Sequence, residues 1–454
     1  MENLKNSKNS NKELNLKSLA FPIFIDMLLK SLGVTINVFM VSHVDVLLVG
    51  AMSAGNQIFT LFITIFSFLS IGCSVVVAQS LGAKNLNLAL RAIHISITFN
   101  AFLGLISTAF IFFFTKEVLY LLNVPEDIIM HSYDYLHFMC LALFLASVGV
   151  VLASILRVKN MANYIVIVSC VANFIVICGN AYVLGFLGFL GLRDTPLGLK
   201  EIGIVAIIAH FSGLVLLIYF LIKKAKIHIH LGLFFKFTLE IVGKILKVGL
   251  PSAGENLLWI GQYMVAFSFV GLLGAANLSV QSIYFQISIY IFLICTSVSM
   301  ACEVIVGHLV GARKFDEAYH KAFYALKIGV GTAWIIVFSF WIFKEQIMGF
   351  FDLNDEIKDI MRPLFTLSLI LETGRGFNII MVNSLRATGD ARFPFIMGII
   401  FMWGVSLPVG YICGISLGYG IVGIWAGFCV DEWCRAIANT WRWKSRKWQD
   451  KVLV

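Results

Sequence analysis

Twelve apolar runs, each about 20 residues or longer, constrain the fold of this chain more than any other feature. A helix of that length crosses the hydrocarbon core of a bilayer, and the runs lack the polar–apolar alternation of barrel strands. Hydrophobic residues make up 59% of the 454 residues and charged residues only 13%, whereas soluble domains carry about 25% charged residues. We therefore predict an all-α membrane protein with twelve transmembrane helices.

The predicted spans separate two sets of loops that differ in charge. The spans cover 18–42, 47–81, 92–115, 130–156, 163–187, 202–222, 248–272, 277–310, 322–343, 361–385, 393–416 and 420–440. One set of loops is basic and includes Lys5, Lys8, Lys12, Lys84, Arg157, Lys236 and Arg313. The other set is acidic with few cations and includes Glu117, Arg193, Asp194, Glu345 and Asp352. Because basic loops face the cytoplasm, we predict a cell-membrane protein with both termini inside. This distribution explains the net charge of +9 without a nucleic-acid partner.

The second half of the chain repeats the first. A shift of 229 positions matches Pro22 to Pro251, Asp26 to Glu255, Gln57 to Gln286, Lys84 to Arg313 and Arg157 to Arg386. After a shorter loop, Leu197 and Gly203 match Leu417 and Gly423. Each half has six spans and begins on the same side, so the repeats are parallel, as in some transporters. The predicted segments are a cytoplasmic tail 1–17, an N-lobe 18–222, a cytoplasmic linker 223–247, a C-lobe 248–440 and a cytoplasmic tail 441–454. Around the last boundary, Trp441, Trp443 and Trp448 fit an interfacial aromatic belt.

Two acids at matched positions are the first candidates for a binding site. A carboxylate in a membrane helix costs about 2.5–3.5 kcal/mol at mid-bilayer, so such residues are functional candidates. Asp26 lies four residues before Lys30, and the two share a helix face. They form either a local ion pair or a site where Asp26 exchanges Lys30 for a proton or substrate.

Glu255 has no basic residue within one turn of its own helix. It must be paired by another helix, bind a cation such as Na⁺, or be protonated, because desolvation disfavours the charged form. Trp259, one turn on, could attract an organic cation through its ring, or it could simply pack. This asymmetry with Asp26 favours Glu255 as the working carboxylate.

Other polar residues inside the spans extend the list of candidates. Glu372, Arg375 and Asn378 recur every three residues and form one stripe, either a cavity lining or an internal ion pair. Arg375 could also alternate between Glu372 and Glu255. Asn173 and Asn180 share a helix face, for lining a cavity or for bonding between helices. Gln57 and Gln286 are duplicated and suit packing or binding equally. Asp431, Glu432 and Arg435 are expected to form a salt bridge near the cytoplasmic end of the last span.

Two loop segments resemble the paired signatures of the multidrug and toxic compound extrusion (MATE) transporters. They are Val77-Ala-Gln79-Ser-Leu-Gly-Ala83 and Val306-Gly-His308-Leu-Val-Gly-Ala312, and Ser384-Leu-Arg386-Ala-Thr-Gly-Asp390 resembles a third segment. The resemblance implies two six-helix lobes in a V shape and export of organic, often cationic, compounds in exchange for H⁺ or Na⁺. The chain departs from the family at Asn37, where many members carry an acid. That departure argues against coupling through the first helix.

The sequence predicts a secondary active antiporter and not an enzyme. It contains no Walker-type glycine loop, so no ATP site is expected, and the histidines show no metal-ligand spacing. We expect a monomer that binds a small organic substrate and a coupling ion, H⁺ or Na⁺, and needs no other cofactor. One alternative is a flippase or exporter of lipid-linked substrates with a related fold. A channel or a non-transporting scaffold is the other.

Overall fold

The computed structural model describes residues 14–122, 124–186, 196–227, 231–234, 238–350, 353 and 355–454. Several predicted loop charges lie outside these residues, namely Lys5, Lys8, Lys12, Arg193, Asp194, Lys236 and Asp352. Most of the predicted tail 1–17 lies outside them as well. The described residues form helices and turns without any β-strand, which confirms the predicted all-α class.

The described residues of the first half form eight helices. They are α1 Leu16–Ser42, α2 Val46–Gly82, α3 Leu86–Leu121, α4 Glu126–Met139, α5 Leu141–Val158, α6 Ala162–Val183, α7 Leu199–Lys223 and α8 Leu231–Phe234. The fourth predicted span is divided at Cys140, where α4 ends and α5 begins. The Thr108 hydroxyl donates a 3.1 Å hydrogen bond to the Cys140 carbonyl at this break.

The second half follows the same order. Its helices are α9 Leu239–Gly271, α10 Ala275–Gly311, α11 Phe315–Ile342, α12 Lys344–Phe350, α13 Asp355–Thr388, α14 Arg392–Gly398, α15 Leu407–Tyr411 and α16 Gly420–Lys444. Two π-helical segments, Ile399–Ser406 and Ile412–Ser416, join α14 and α15 into one rod. The first helix of the second half, α9, begins at Leu239, before the predicted span that starts at 248. Its first turns are basic and extend the helix on the N-terminal side of the apolar run.

Length and composition qualify ten of the described helices as membrane spans. The two predicted spans that fail this test, α9 and α16, are 33 and 25 residues long. They are long enough to cross a bilayer but contain the ionisable residues described below. The chain is therefore a multi-span membrane protein.

Three turns recur in both halves and confirm the internal repeat. The chain leaves α2, α5 and α7, and likewise α10, α13 and α16, through a residue with positive φ. These residues pair as Lys84 (59°) with Arg313 (59°), Asn160 (59°) with Gly389 (95°), and Lys226 (54°) with Arg446 (56°). The first two pairs obey the 229-residue shift, and the third has the smaller shift expected after a shorter loop. The backbone thus repeats even where the side chains differ.

The helices belong to two compact units. Unit 1 contains Ile25–Val77 and Asn87–Ile245, and unit 2 contains Asn15–Phe24, Ala78–Leu86 and Leu246–Val454. Among the described residues of unit 1, one apolar core includes Met52 and Tyr135 and another includes Phe66 and Leu136. The core of unit 2 includes Tyr284, Phe365 and Trp425. The predicted limits of the lobes, linker and tails stay predictions.

The three tryptophans near the end of the chain do not form one belt. Trp441 is 58% exposed, as the interfacial prediction requires, but Trp443 and Trp448 are both 0% exposed. For these two the prediction is wrong, because the chain turns back at Arg446 and buries both rings.

Candidate functional site

The first-half acid, Asp26, is buried on α1 and has two partners within unit 1. Its Oδ2 lies 2.8 Å from Lys30 Nζ, so the predicted pair one turn apart is present. Its Oδ1 accepts a 2.5 Å hydrogen bond from Ser169 Oγ on α6. The Lys30 side chain is 59% exposed, so it can leave Asp26 without becoming a buried, unpaired charge.

Three asparagines continue the contact between α1 and α6. Asn173 Nδ2 donates to the Leu29 carbonyl at 2.8 Å, and Asn180 Nδ2 donates to Asn37 Oδ1 at 2.6 Å. The two predicted face-sharing residues of α6 therefore both contact α1. Asn180 Oδ1 is buried and has no donor among the described residues. Since Asn37 and Asn180 pair as neutral amides, they add no charge to unit 1.

Glu255 on α9 has a counter-ion that its own helix does not reveal. Its Oε2 lies 2.8 Å from Arg386 Nη2 on α13, and the two side chains are only 9% and 11% exposed. Of the three predicted states, pairing by another helix is the one present. Arg386 also donates to Asn383 Oδ1 at 3.0 Å. The repeat matches Arg386 to Arg157, and that match was the signal that could have singled it out.

The stripe on α13 joins α10 and α16. Glu372 is 3% exposed, and its Oε1 accepts hydrogen bonds of 2.7 Å from both Arg375 Nη1 and Ser288 Oγ. Arg375 Nε lies 3.6 Å from Glu432 Oε1. The second acid beside Arg375 is therefore Glu432, so this structure gives no support to an exchange of Arg375 between Glu372 and Glu255.

The charged residues of α16 are buried and pair with one another and with α13. Arg435 donates from Nε and Nη2 to the two oxygens of Asp431, each at 2.7 Å, and its Nη2 is 3.1 Å from Glu432 Oε1. Asn378 Nδ2 donates to Glu432 Oε2 at 2.8 Å. Asp431 and Glu432 are 0% and 5% exposed and lie near the middle of α16. The predicted salt bridge is present, but it lies near the middle of α16 and not near an end of the helix.

The ion pairs on α13 and α16 connect five charged residues into a group that we call the acidic cluster. They are Glu372, Arg375, Asp431, Glu432 and Arg435. It has three carboxyl and two guanidinium groups, so its formal charge is −1 when all are ionised. Adding the Glu255–Arg386 pair does not change that sum. Among the described residues, Glu372 Oε2 is the one carboxylate oxygen of the cluster without a hydrogen-bond donor or cation partner. The acidic cluster therefore carries one carboxylate charge more than its guanidinium groups balance, with one oxygen left free.

Gln262 on α9 is a member of this site that the sequence analysis missed. Its side chain is 0% exposed and donates to Ser406 Oγ at 2.7 Å and to Asp431 Oδ2 at 3.4 Å. Ser406 ends the first π-helical segment. A single glutamine inside a span is not costly enough to single out, unlike a charged residue. The repeat gave no further signal for Gln262, because the matched position in the first half holds Gly33.

Trp259 belongs to an aromatic surface and not to the acidic cluster. Its ring centroid lies 6.1 Å from that of Tyr263 and 6.4 Å from that of Phe285, with interplanar angles of 18° and 29°. Trp259 is 36% exposed, so part of its ring is open to a ligand or lipid. The duplicated residues Gln57 and Gln286 are both exposed, unlike the buried residues of the cluster.

Comparison with known sequences identifies related transporters. The family model MatE matches residues 22–182 and 251–412, so the two matched stretches begin at the repeated prolines. The chain is 32% identical over 448 residues to "Uncharacterized transporter YisQ" of Bacillus subtilis (strain 168), covering 98% of this chain and 97% of that protein. It is 24% identical to "Probable multidrug resistance protein YoeA" of the same organism, covering 90% and 88%.

The fold has close counterparts among solved structures. The protein described as "Crystal structure of MATE in the bent conformation" superposes with a TM-score of 0.86 at 19% identity, covering 95% of this chain and 94% of that one. At this identity the likeness concerns the fold alone, and it agrees with the repeated arrangement of helices.

Proposed function

Because this chain belongs to the MatE family of membrane transporters, we propose that it is a secondary active antiporter that exports organic cations in exchange for H⁺ or Na⁺. Members of the family are transporters, and the chain is not an enzyme. The proposal includes a cell-membrane location, cytoplasmic termini and a monomer as the working unit. It agrees with the names of relatives such as the probable multidrug resistance protein YoeA.

The excess negative charge of the acidic cluster carries this proposal. All three of its carboxylates are at most 5% exposed, and an uncompensated charge in such surroundings is costly. Binding one cation removes that cost. A carboxylate that must be neutralised, and that can be neutralised by either of two cations, makes their binding mutually exclusive. This competition is the requirement for exchange.

The free oxygen Glu372 Oε2 favours H⁺ over Na⁺ as the coupling ion. A metal cation needs several oxygen ligands at once, but the other carboxylate oxygens of the cluster already accept from guanidinium, amide or hydroxyl groups. A proton needs one oxygen. Glu372 therefore replaces Glu255 as the first candidate for the coupling residue, and Glu255 with Arg386 is a neighbouring neutral pair.

The aromatic surface on α9 and α10 is the proposed contact for the organic substrate. Trp259 and Tyr263 are one turn apart on α9, and Phe285 of α10 lies 4.5 Å from Tyr263 between ring centroids. Rings in this arrangement attract a cationic or planar aromatic molecule through their faces. Trp259 offers the exposed face for such stacking.

Transport in proteoliposomes tests this proposal. A fluorescent organic cation is loaded, and its efflux is followed under an imposed H⁺ gradient and, separately, under an imposed Na⁺ gradient. We expect efflux under the H⁺ gradient. No efflux under either gradient would contradict the antiporter, and efflux under Na⁺ alone would contradict the choice of ion.

The Glu372→Gln variant locates the coupling site within the same assay. It removes the excess charge while keeping the shape of the side chain, so it should fold normally, lose H⁺-driven efflux and bind the organic cation more weakly. Glu345→Gln is the matched control because Glu345 belongs to an exposed ion pair. Full H⁺-driven efflux by Glu372→Gln would rule out the acidic cluster as the coupling site.

A further inference from the structure

The last ten residues, Ser445–Val454, fold back onto unit 2, and we call this segment the strap. Its anchor is Trp448, whose ring stacks on Trp443 at 4.4 Å with an interplanar angle of 9°. Trp448 Nε1 also donates to the Trp443 carbonyl at 2.9 Å, and Phe315 of α11 packs edge-on against it. A buried ring with its polar atom satisfied fixes the strap in one position.

The end of the strap reaches Gln79, which lies in the first of the two family-like segments, and Arg313, the residue that follows the second. The backbone N–H of Leu453 donates to Gln79 Oε1 at 2.9 Å, and Gln79 Nε2 donates to the Ala387 carbonyl at 2.7 Å. Arg313 Nη2 donates to the Val454 carbonyl at 3.1 Å. Gln79 is 0% exposed. One amide therefore ties the last turn of α2 to both the strap and the end of α13.

Gly389, in the turn after α13, has two reasons to be glycine. Its φ of 95° disfavours any residue with a Cβ. A Cβ there would also collide with the Lys451 carbonyl and would lie 3.1–3.2 Å from the side chain of Leu453. The turn is thus shaped to receive the strap. Its repeat counterpart, Asn160, has positive φ as well.

We propose that the strap is a cytoplasmic latch: it holds Gln79 against the turn after α13 and must release Gln79 whenever transport opens this side of the protein. Residues of α2 up to Val77 belong to unit 1, and those from Ala78 belong to unit 2. Gln79 thus lies where the chain passes from one unit to the other. Transporters with repeated halves work by moving one half against the other. Hydrogen bonds that fix Gln79 at this point of α2 would therefore control that motion. The requirement for release depends on the proposed function.

Hydrogen exchange tests whether the strap holds these segments. In the Trp448→Ala variant, backbone amides of residues 79–86 and 387–391 should exchange faster by about tenfold or more, because their local opening loses its clasp. Gln79→Leu removes both hydrogen bonds of the Gln79 side chain and leaves Trp448 unchanged. It should speed exchange in the same residues, and it provides the test if Trp448→Ala folds poorly. Trp441→Ala, on the exposed ring of the same helix end, is the control. Unchanged exchange in Gln79→Leu would overturn the proposal.

Cross-linking tests whether release is needed for transport. Oxidation of the Gln79→Cys/Leu453→Cys pair should abolish efflux from proteoliposomes, and a reductant should restore it. The two single variants, oxidised in parallel, control for the nine native cysteines. Full efflux by the cross-linked protein, or failure of the pair to cross-link, would overturn the latch. A parental chain without ion-driven efflux would contradict the proposed function instead, while exchange and cross-linking yield would still report on the strap.

Discussion

The two acids that the repeat relates, Asp26 and Glu255, have counter-ions of different origin. Lys30 comes from the same helix as Asp26 and is 59% exposed. Arg386 comes from α13 and is 11% exposed beside Glu255. The duplication has thus kept the position of the acid and changed its pairing. A cation at the surface of the protein can leave its acid without becoming buried and unpaired within the protein, whereas a buried cation cannot.

A single matched position helps to explain this difference. Ser169, which donates to Asp26, is replaced 229 residues later by Gly398. A Cβ at Gly398 would lie 3.7 Å from Glu255 Cγ, so the position is adjacent in both units. Without a hydroxyl there, the second acid depends on Arg386. Beyond these acids, unit 1 continues with the neutral pair Asn37–Asn180, while unit 2 continues with a cluster of formal charge −1.

Removing Arg435 should have the largest effect on stability, because it leaves Asp431 and Glu432 buried without their main cation. We expect Arg435→Ala to lower the free energy of unfolding by about 3–5 kcal/mol. Thermal unfolding in detergent measures this loss. Arg362→Ala, which breaks an exposed pair, should change little. Equal effects of the two variants would contradict the buried, strongly paired state of the cluster.

Glu372→Gln, in the same acidic cluster, should not destabilise the protein as Arg435→Ala does. It lowers the number of carboxylates to two, which matches the two guanidinium groups, so the melting temperature should stay level or rise. A clear fall in melting temperature would mean that the Glu372 charge is needed for folding, and the idea of an excess charge would then fail.

Breaking the Glu255–Arg386 pair should have the next largest effect on the free energy of unfolding. Glu255→Gln leaves Arg386 without its carboxylate and should cost about 1.5–3 kcal/mol. The double variant Glu255→Gln/Arg386→Gln should recover part of that loss, since no unpaired charge remains. A double-mutant cycle by thermal unfolding gives the coupling. Additive effects would contradict a direct ion pair.

The fold could be predicted well because the length of the apolar runs, the charge of the loops and the 229-residue repeat can each be read directly from the sequence. It also predicted the contacts within one helix, as for Asp26 with Lys30 and Glu372 with Arg375. It failed where the partner lies on another helix, as for Glu255 with Arg386. Neighbours in sequence do not show which helices meet.

Asp26→Asn should have a small effect on stability, and it tests the other side of the comparison. Asparagine can still accept the hydrogen bond of Ser169, and Lys30 is not buried within the protein, so the expected loss is about 0.5 kcal/mol or less. H⁺-driven efflux should persist, since the coupling charge is placed in unit 2. Loss of efflux in Asp26→Asn, with folding intact, would move the coupling site to unit 1.

The smallest effect should come from an ion pair outside the spans. Arg362 donates to both oxygens of Glu345, at 2.8 and 3.0 Å, and these hydrogen bonds hold the pKa of Glu345 below its ordinary value. A lowered pKa contributes stability above the ordinary pKa, and this contribution is lost as the pH falls through the lowered value. Glu345→Gln should therefore leave the melting temperature at low pH unchanged and reduce it only slightly near neutral pH. Since the Glu345 and Arg362 side chains are 49% and 42% exposed, water screens the pair. A large drop at neutral pH would show that exposure is a poor guide to the strength of these pairs, and the contrast between Lys30 and Arg386 would lose its physical basis.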